Sequence, residues 1–83
     1  MKFRKKPVVV EAIQYIGHND AEIFAFFHNA FTRGEVLQTI FIPTSSGVHK
    51  IVPGDWVIRG VNGEFYPCKS DIFEMTYERV EEQ

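Results

Sequence analysis

The chain has 83 residues, 45% of them hydrophobic and eight of them Phe, and carries a formal net charge of −2 at pH 7. This length fits one domain with a modest core, and the apolar content is typical of globular rather than disordered proteins. The acidic balance makes nucleic acid an unfavourable partner, and a single Cys excludes an internal disulfide framework and favours a reducing cytoplasm.

The charge is polarised between the two ends of the chain. The first six residues include four cations, Lys2, Arg4, Lys5 and Lys6, and the last ten residues include four carboxylates, Glu74, Glu78, Glu81 and Glu82. The apolar run at residues 8–10 ends at Glu11, too early for a secretion signal, and no apolar run is long enough to span a membrane. We therefore expect a protein that is not secreted and contacts no membrane. We interpret the four cations as protection against aggregation, with phosphate binding as the alternative.

Residues 7–16 read P-V-V-V-E-A-I-Q-Y-I, and this β-branched run predicts the first and longest strand, lying centrally in a sheet. Asn19 followed by Glu22 forms a capping-box pattern that predicts the start of a helix. The helix is expected to run to about Arg33, with Gly34 as the glycine that follows it. Its buried stripe should contain Ile23, Phe27, Ala30 and Phe31, with Phe24 beside them.

Two further strands are predicted in the middle of the chain. Residues 36–42 and 48–52 alternate or carry β-branched side chains, and the polar residues 43–47 between them predict a five-residue loop. This pair forms the first predicted hairpin.

The most informative stretch is residues 53–73, which read P-G-D-W-V-I-R-G-V-N-G-E-F-Y-P-C-K-S-D-I-F. Pro53-Gly54 is typical of a type II turn, and Asn62-Gly63 is typical of a two-residue hairpin loop. These signals predict strands at residues 56–59 and 64–68. Because Pro67 cannot donate a ladder hydrogen bond, the second strand is expected at a sheet edge. A short C-terminal helix with Ser70 as its N-cap should follow.

A two-residue loop would set the register of this second hairpin. It pairs Arg59 with Tyr66 and Val57 with Cys68. The face expected to be buried carries Trp56, Ile58, Phe65 and Pro67, with the Phe65 ring over the bare backbone of Gly60. The face expected to look outward carries Val57, Arg59, Val61, Glu64, Tyr66 and Cys68.

These elements predict a single α+β domain over residues 1–83, in the order β-α-β-β-β-β-α. One twisted, mainly antiparallel sheet should carry the first helix on one face, and the short C-terminal helix should cap an end or edge. A half-open barrel built from the four later strands is the alternative architecture.

The outward face of the second hairpin is the candidate binding site. A guanidinium, a carboxylate and a phenol on one face are suited to holding a small polar ligand, whereas ordinary cross-strand contacts are the structural interpretation of the same residues. The candidate ligand-binding or partner-binding residues are Arg59, Glu64, Tyr66, Lys69, Asp55 and Lys50. Asp55 is also expected to bond the turn backbone, and Cys68 is interpreted as a small half-buried hydrophobe. We find no motif for catalysis, metal binding or a cofactor.

Two stretches carry a resemblance to known proteins. They are K-F-R-K-K-P-V-V-V-E-A-I-Q-Y at residues 2–15 and P-G-D-W-V-I-R-G-V-N-G-E-F-Y-P-C-K-S-D-I-F-E-M-T-Y at residues 53–77. Together they resemble a family of small uncharacterised bacteriophage and prophage proteins, whereas residues 16–52 show no such likeness. Similar proteins commonly have proline where this chain has Ser70. The resemblance implies a phage origin and action in the host bacterial cytoplasm, and it carries no catalytic residues.

The leading hypothesis is therefore a non-enzymatic accessory protein that binds a host factor. It would either inhibit a host protein or sequester a nucleotide-like ligand, and the edge strand at residues 64–68 would allow a homo-oligomer. The alternative is a minor structural or assembly component of the phage particle.

Overall fold

The computed structural model describes residues 1–4, 7–29, 31–34 and 38–80. The elements in chain order are β1 (Glu11–Gln14), α1 (Asp20–Phe27), β2 (Thr32–Arg33), β3 (Ile40–Thr44), β4 (Gly47–Ile51), β5 (Trp56–Arg59), β6 (Phe65–Cys68) and α2 (Ser70–Thr76). The α+β class is confirmed. The predicted single sheet is instead two three-stranded antiparallel sheets, with strand orders β1-β5-β6 and β2-β3-β4, and these described strands close no barrel.

The core joins α1 to both sheets. The fully buried apolar side chains are Tyr15, Ile23, Ile40, Ile42, Ile51, Val57 and Ile58. The predicted stripe on α1 is confirmed at Ile23 and Phe27, whereas Phe24 is exposed. Ala30, predicted on the same stripe, lies outside the described residues.

Helix α1 is shorter than the apolar spacing predicted. It ends at Phe27, where His28 adopts the left-handed conformation with φ of 57° and donates its N–H to the Phe24 carbonyl at 2.9 Å. The residues that follow form β2, which pairs Thr32 with Phe41 and Arg33 with Ile40. The predicted helix end near Arg33 is therefore wrong, because pairing with β3 overrides helical spacing there.

The capping box at the start of α1 is also wrong, although the helix begins where it was predicted. The Asn19 side chain makes no capping bond. Its Oδ1 accepts from the Ile16 N–H at 2.9 Å, and its Nδ2 donates to the Gln14 carbonyl at 2.9 Å. Asn19 thus fastens the end of β1 rather than the first turn of the helix.

Strand β1 lies at a sheet edge, and β5 occupies the centre that was predicted for it. Glu11 pairs with Arg59, the last residue of β5. Residues 7–10 therefore have no stretch of β5 to pair with, and they precede the strand without regular secondary structure. The predicted strand over residues 7–16 is confirmed only at residues 11–14.

The first hairpin has a shorter loop than the composition predicted. Strands β3 and β4 pair Thr44 with Gly47, so only Ser45 and Ser46 form the loop. Pro43 lies inside β3 because its nitrogen points away from β4, on a side where β2 reaches only as far as Phe41. The predicted five-residue loop is therefore wrong. Residues 36–37 of the predicted strand lie outside the described residues.

The second hairpin forms as predicted, but its register is shifted by one residue. Arg59 pairs with Phe65 and Ile58 pairs with Tyr66. The Gly60 N–H donates to the Glu64 carbonyl at 2.7 Å, so the loop has three residues and ends at Gly63, whose φ is 81°. This is the three-residue loop with a left-handed glycine, which competes with the two-residue loop for the same Asn-Gly signal.

A shift of one residue changes which residues share a face. Arg59 and Phe65 now lie together on the α1 side of the sheet, where Phe65 contacts Phe27 with ring centroids 4.9 Å apart. Trp56 and Tyr66 lie on the opposite side. The predicted division of the hairpin into an inner and an outer face is therefore wrong.

Helix α2 covers this second side through aromatic rings. Phe73 stacks on Trp56 with centroids 4.0 Å apart and planes 5° apart, and Tyr77 stacks on Phe73 at 5.0 Å. Lys69 occupies the N-cap position and makes no side-chain capping bond, so the prediction of Ser70 as N-cap is wrong. No residue of α2 is buried. The helix packs on the sheet through the rings of Phe73 and of Tyr77, the residue that follows its last turn.

Candidate functional site

Arg59 was predicted to face outward, but it packs against the α1 side of the first sheet. Its guanidinium lies 4.9 Å from the centroid of Phe26 and 5.5 Å from that of Phe65, in cation–π contact with both. The same group donates to the Phe26 carbonyl at 3.0 Å and lies 3.5 Å from the Glu11 carboxylate. Arg59 therefore links the second hairpin to α1 and β1, and its positive charge interacts with groups of the same chain.

Tyr66 lies on the other side of the same sheet. Its hydroxyl is 3.4 Å from that of Tyr77, and this hydrogen bond, with burial as the second cause, raises the pKa of Tyr66 to about 12. Arg59 and Tyr66 therefore project from opposite faces, and the predicted constellation of guanidinium, carboxylate and phenol does not assemble.

Glu64, the third member of that constellation, stabilises the hairpin loop. Its carboxylate accepts from the Asn62 N–H at 3.0 Å. It also occupies the space above Gly60, where an added Cβ would overlap the carboxylate. The Phe65 ring was expected there, and the register shift explains the exchange.

Asp55 and Lys69 are brought together. The Lys69 ammonium lies 3.1 Å and 3.3 Å from the two oxygens of the buried Asp55 carboxylate. One of those oxygens also accepts from the Val52 N–H at 3.0 Å, so the predicted bond between Asp55 and the turn backbone is confirmed. The pair fastens the start of α2 to the turn before β5, because a buried carboxylate needs such partners.

Cys68 is the last residue of β6, and its side chain lies partly inside the protein. It is half-buried, and burial raises the pKa of its thiol, with the negative charges of Asp71 and Asp55 adding to the effect. A raised thiol pKa lowers the thiolate fraction at neutral pH and with it the reactivity of the sulfur.

Lys50 is exposed on β4, at the outer edge of the second sheet. The Gly34 N–H donates to the Thr39 carbonyl at 2.8 Å, which shows that odd-numbered residues of β3 bond towards β2. Even-numbered residues of β3 therefore bond towards β4, and they pair with Gly47, His49 and Ile51. Val48 and Lys50 consequently direct their N–H and C=O groups away from the sheet, and the described part of the chain places no strand beside them.

The other long edges offer less to a partner strand. The predicted edge position of β6 is confirmed. The hydrogen bond between Gly60 and Glu64 shows that the backbone groups of Phe65 and Pro67 point away from β5, towards the open side of β6. Pro67 has no N–H, which leaves Phe65 as the outward donor of β6. On the outer side of β1, the Gln14 carbonyl is already taken by Asn19. Of the longer edge strands in the described part of the chain, β4 thus has the most complete row of outward backbone groups.

An open cleft of about 380 Å³ lies between the turns of the two hairpins. Its lining combines aromatic, hydroxyl and amide side chains with one ionisable group, and consists of Phe27, Asn29, Pro43, Thr44, Ser45, Gly63, Glu64 and Phe65. Glu64 is the predicted site residue that reaches it.

The aromatic stack of Trp56, Phe73 and Tyr77 was not predicted. A signal for it was present, since Phe73 and Tyr77 lie four residues apart in a predicted helix and so share one side. The register shift hid their partner, because Trp56 was assigned to the opposite face of its sheet. The buried Trp56 Nε1 has no hydrogen-bond partner among the described residues.

Comparison with known proteins finds no matching family model, curated protein or solved structure for this chain. The described residues contain no cluster of three or more His, Cys, Asp or Glu suited to a metal ion. Within the same residues, neither helix has the length and apolar character needed to cross a membrane.

Proposed function

We propose that the chain is a small bacteriophage-encoded or prophage-encoded accessory protein that acts in the host cytoplasm by binding a host protein. The resemblance at residues 2–15 and 53–77 supports the phage origin. The single observation that supports binding is the outer edge of β4, which directs two N–H and two C=O groups outward from Val48 and Lys50.

An unpaired strand edge binds an extended segment of another protein by adding it to the sheet. Backbone hydrogen bonds supply the affinity in this mode, and side chains that alternate between the two faces supply the specificity. Val48 is 69% exposed and lies with Lys50 on the outer face of the sheet. A partner segment that places an apolar residue near Val48 and a carboxylate near Lys50 would complement this edge.

The positions of the basic and phenolic side chains favour a protein partner over a nucleotide-like ligand. Arg59 and Tyr66 project from opposite faces of their sheet, and the Lys69 ammonium is held by Asp55. A phosphate or purine ring would therefore not meet these three side chains together.

Capture of the tagged chain from a bacterial lysate, with quantitative mass spectrometry, tests the proposal. Val48→Pro removes one outward N–H and leaves the pairing with β3 intact, so it should reduce recovery of the host partner at least tenfold. Val48→Ile keeps the N–H, the β-branched shape and the apolar side chain, and should recover the partner as wild type does. Circular dichroism of both variants checks that the fold is retained.

Equal recovery of the same host proteins by wild type and a folded Val48→Pro variant would contradict binding through this edge. Stoichiometric amounts of the chain in purified phage particles would instead establish the structural role. A rise in melting temperature with a nucleotide at micromolar concentration would favour sequestration of a small ligand, because a ligand that binds only the folded state stabilises it by mass action.

A further inference from the structure

Two segments of opposite charge lie at the two ends of the chain. The N-terminal arm is defined here as residues 1–10 and holds four cations and no carboxylate. The C-terminal segment is defined as residues 70–83, contains α2, and holds five carboxylates and one cation. Their formal charges are therefore +4 and −4, equal in size and opposite in sign.

The arm is apolar as well as basic. Phe3 is 89% exposed and Val9 is 72% exposed, and Val8 between the cations and Val9 is exposed too. Large apolar side chains that stand together in water on one segment are typical of a surface that another molecule covers.

Helix α2 presents a matching apolar side. Phe73 and Tyr77 face Trp56 and the sheet, whereas Ile72 is 54% exposed and Met75 is 87% exposed. Residues three apart in a helix are neighbours, so Ile72 and Met75 form one outer apolar strip. The carboxylates nearby in the same segment are Asp71, Glu74 and Glu78, all exposed.

We infer that the arm of one copy docks on the outer side of α2 of a second copy. Phe3 and the arm valines would cover Ile72 and Met75, while Lys2 and Arg4 would face Glu74 and Glu78. The apolar contact would supply the larger part of the affinity, and the charges would set the orientation and exclude wrong partners. If each copy gives its arm to the other, the two contacts are equivalent and the dimer is closed.

A second copy fits better than the arm's own helix. In the single chain both Phe3 and Met75 remain almost fully exposed, so the arm does not lie on its own α2. The exposed surfaces are complementary in charge and are both unoccupied in one copy. The occupant that satisfies both of them with the residues of this chain is another molecule of it.

Sedimentation velocity over a wide concentration range, with two charge-reversed variants, tests this arrangement. The arm-reversed variant is Lys2→Glu with Arg4→Glu, and the helix-reversed variant is Glu74→Lys with Glu78→Lys. We expect wild type to dimerise, and each variant alone to be monomeric because like charges would meet across the contact. An equimolar mixture of the two variants should form a heterodimer, since the charges at positions 2 and 4 are then opposite in sign to those at positions 74 and 78 in both contacts.

Apolar and control substitutions complete the experiment. Met75→Ser should weaken wild-type dimerisation at least tenfold, and 0.5 M NaCl should weaken it further, whereas Val61→Ala on the exposed loop of the second hairpin should leave it unchanged. Circular dichroism confirms that each variant is folded. A wild type that stays monomeric up to millimolar concentration would overturn the inference. So would reversed variants that dimerise alone, or a mixture of them that stays monomeric. Because Val48→Pro tests the host-protein edge separately, either proposal can fail without the other.

Discussion

The two hairpins of this protein are built from similar parts but present opposite kinds of edge. Each hairpin contains one proline in a strand. Each also contains one glycine with a positive φ, in the loop or directly after it. In the first hairpin Pro43 lies in the inner strand β3, so the outer strand β4 keeps all its outward donors. In the second hairpin Pro67 lies in the outer strand β6 and removes a donor from the exposed edge.

The difference shows that the position of a proline within a hairpin determines which edge is open to another chain. Pro67 predicts an edge strand, whereas Pro43 predicts a loop, and neither prediction distinguishes an edge that is open from one that is blocked. The homo-oligomer proposed through residues 64–68 would have to form on the blocked edge. The contact inferred between the N-terminal arm and α2 of a second copy would form a homo-oligomer without using a strand edge.

The largest expected effect concerns the buried side of the first hairpin. Ile42 is fully buried in the hydrophobic core, so Ile42→Ala should lower the free energy of unfolding by about 2–5 kcal/mol. Ile42→Val removes a single methylene and should lower the free energy of unfolding by about 0.5–1.5 kcal/mol. This milder variant can be measured even if the alanine variant does not fold. Urea denaturation measures both. Val61→Ala, on the exposed loop of the second hairpin, is the control and should change stability by less than about 0.5 kcal/mol. A loss at Ile42 no larger than at Val61 would contradict the buried position of β3.

Two glycines with positive φ, Gly63 in the loop of the second hairpin and Gly47 at the start of β4, should respond differently to the same substitution. Gly63 has φ of 81°, near the left-handed region that other residues enter at a cost of about 1–2 kcal/mol. Gly47 has φ of 119°, well outside that region, so Gly47→Ala should destabilise more, by about 2–3 kcal/mol. Nothing lies within 4 Å of an added Cβ at either position, so both effects measure the backbone alone.

Asparagine separates these two cases further. It enters the left-handed region more readily than alanine, so Gly63→Asn should recover part of the stability that Gly63→Ala loses. Gly47→Asn should recover little. Equal recovery at both positions would contradict the two loop conformations that distinguish the hairpins.

The smallest expected effect is a pH dependence contributed by the phenol of Tyr66 in the second hairpin. The pKa of Tyr66 is about 12 in the folded protein against 10.0 for an ordinary tyrosine. Above pH 10 the unfolded chain therefore loses this proton before the folded chain does, and the free energy of unfolding falls as the pH rises from 10 to 12.

Melting temperatures of wild type and Tyr66→Phe between pH 9 and pH 11 test this dependence. Both proteins keep Tyr15 and Cys68, whose pKa values are also raised, chiefly by burial, so the difference between their slopes isolates Tyr66. The wild-type slope should be the steeper. Parallel slopes would show that the hydroxyl contact with Tyr77 does not form.

The sequence predicted element types better than element limits. The hairpins, both helices and the edge position of β6 follow from turn residues and periodicity, which act over a few neighbouring positions. The end of α1 and the strand β2 depend on pairing between residues 32–33 and 40–41, which no local pattern records. The loop of the second hairpin had two solutions for one Asn-Gly signal, and the fold adopts the longer.

That one-residue difference also explains the outcome at the candidate site. Asp55 lies next to its turn, so its backbone bond could be predicted from local chemistry. Its pairing with Lys69 spans fourteen residues and depends on where α2 begins. The grouping of Arg59 with Tyr66 depended entirely on register, and the shift placed them on opposite faces.

The parallel contact between Trp56 and Phe73 has a practical consequence. Trp56 is the only tryptophan in the chain, so its fluorescence arises from one site. Detachment of α2 would expose the indole to water, and its emission would shift to longer wavelength while the two sheets remained intact. The native protein therefore carries its own optical reporter of whether its last helix is seated, without a dye or a label.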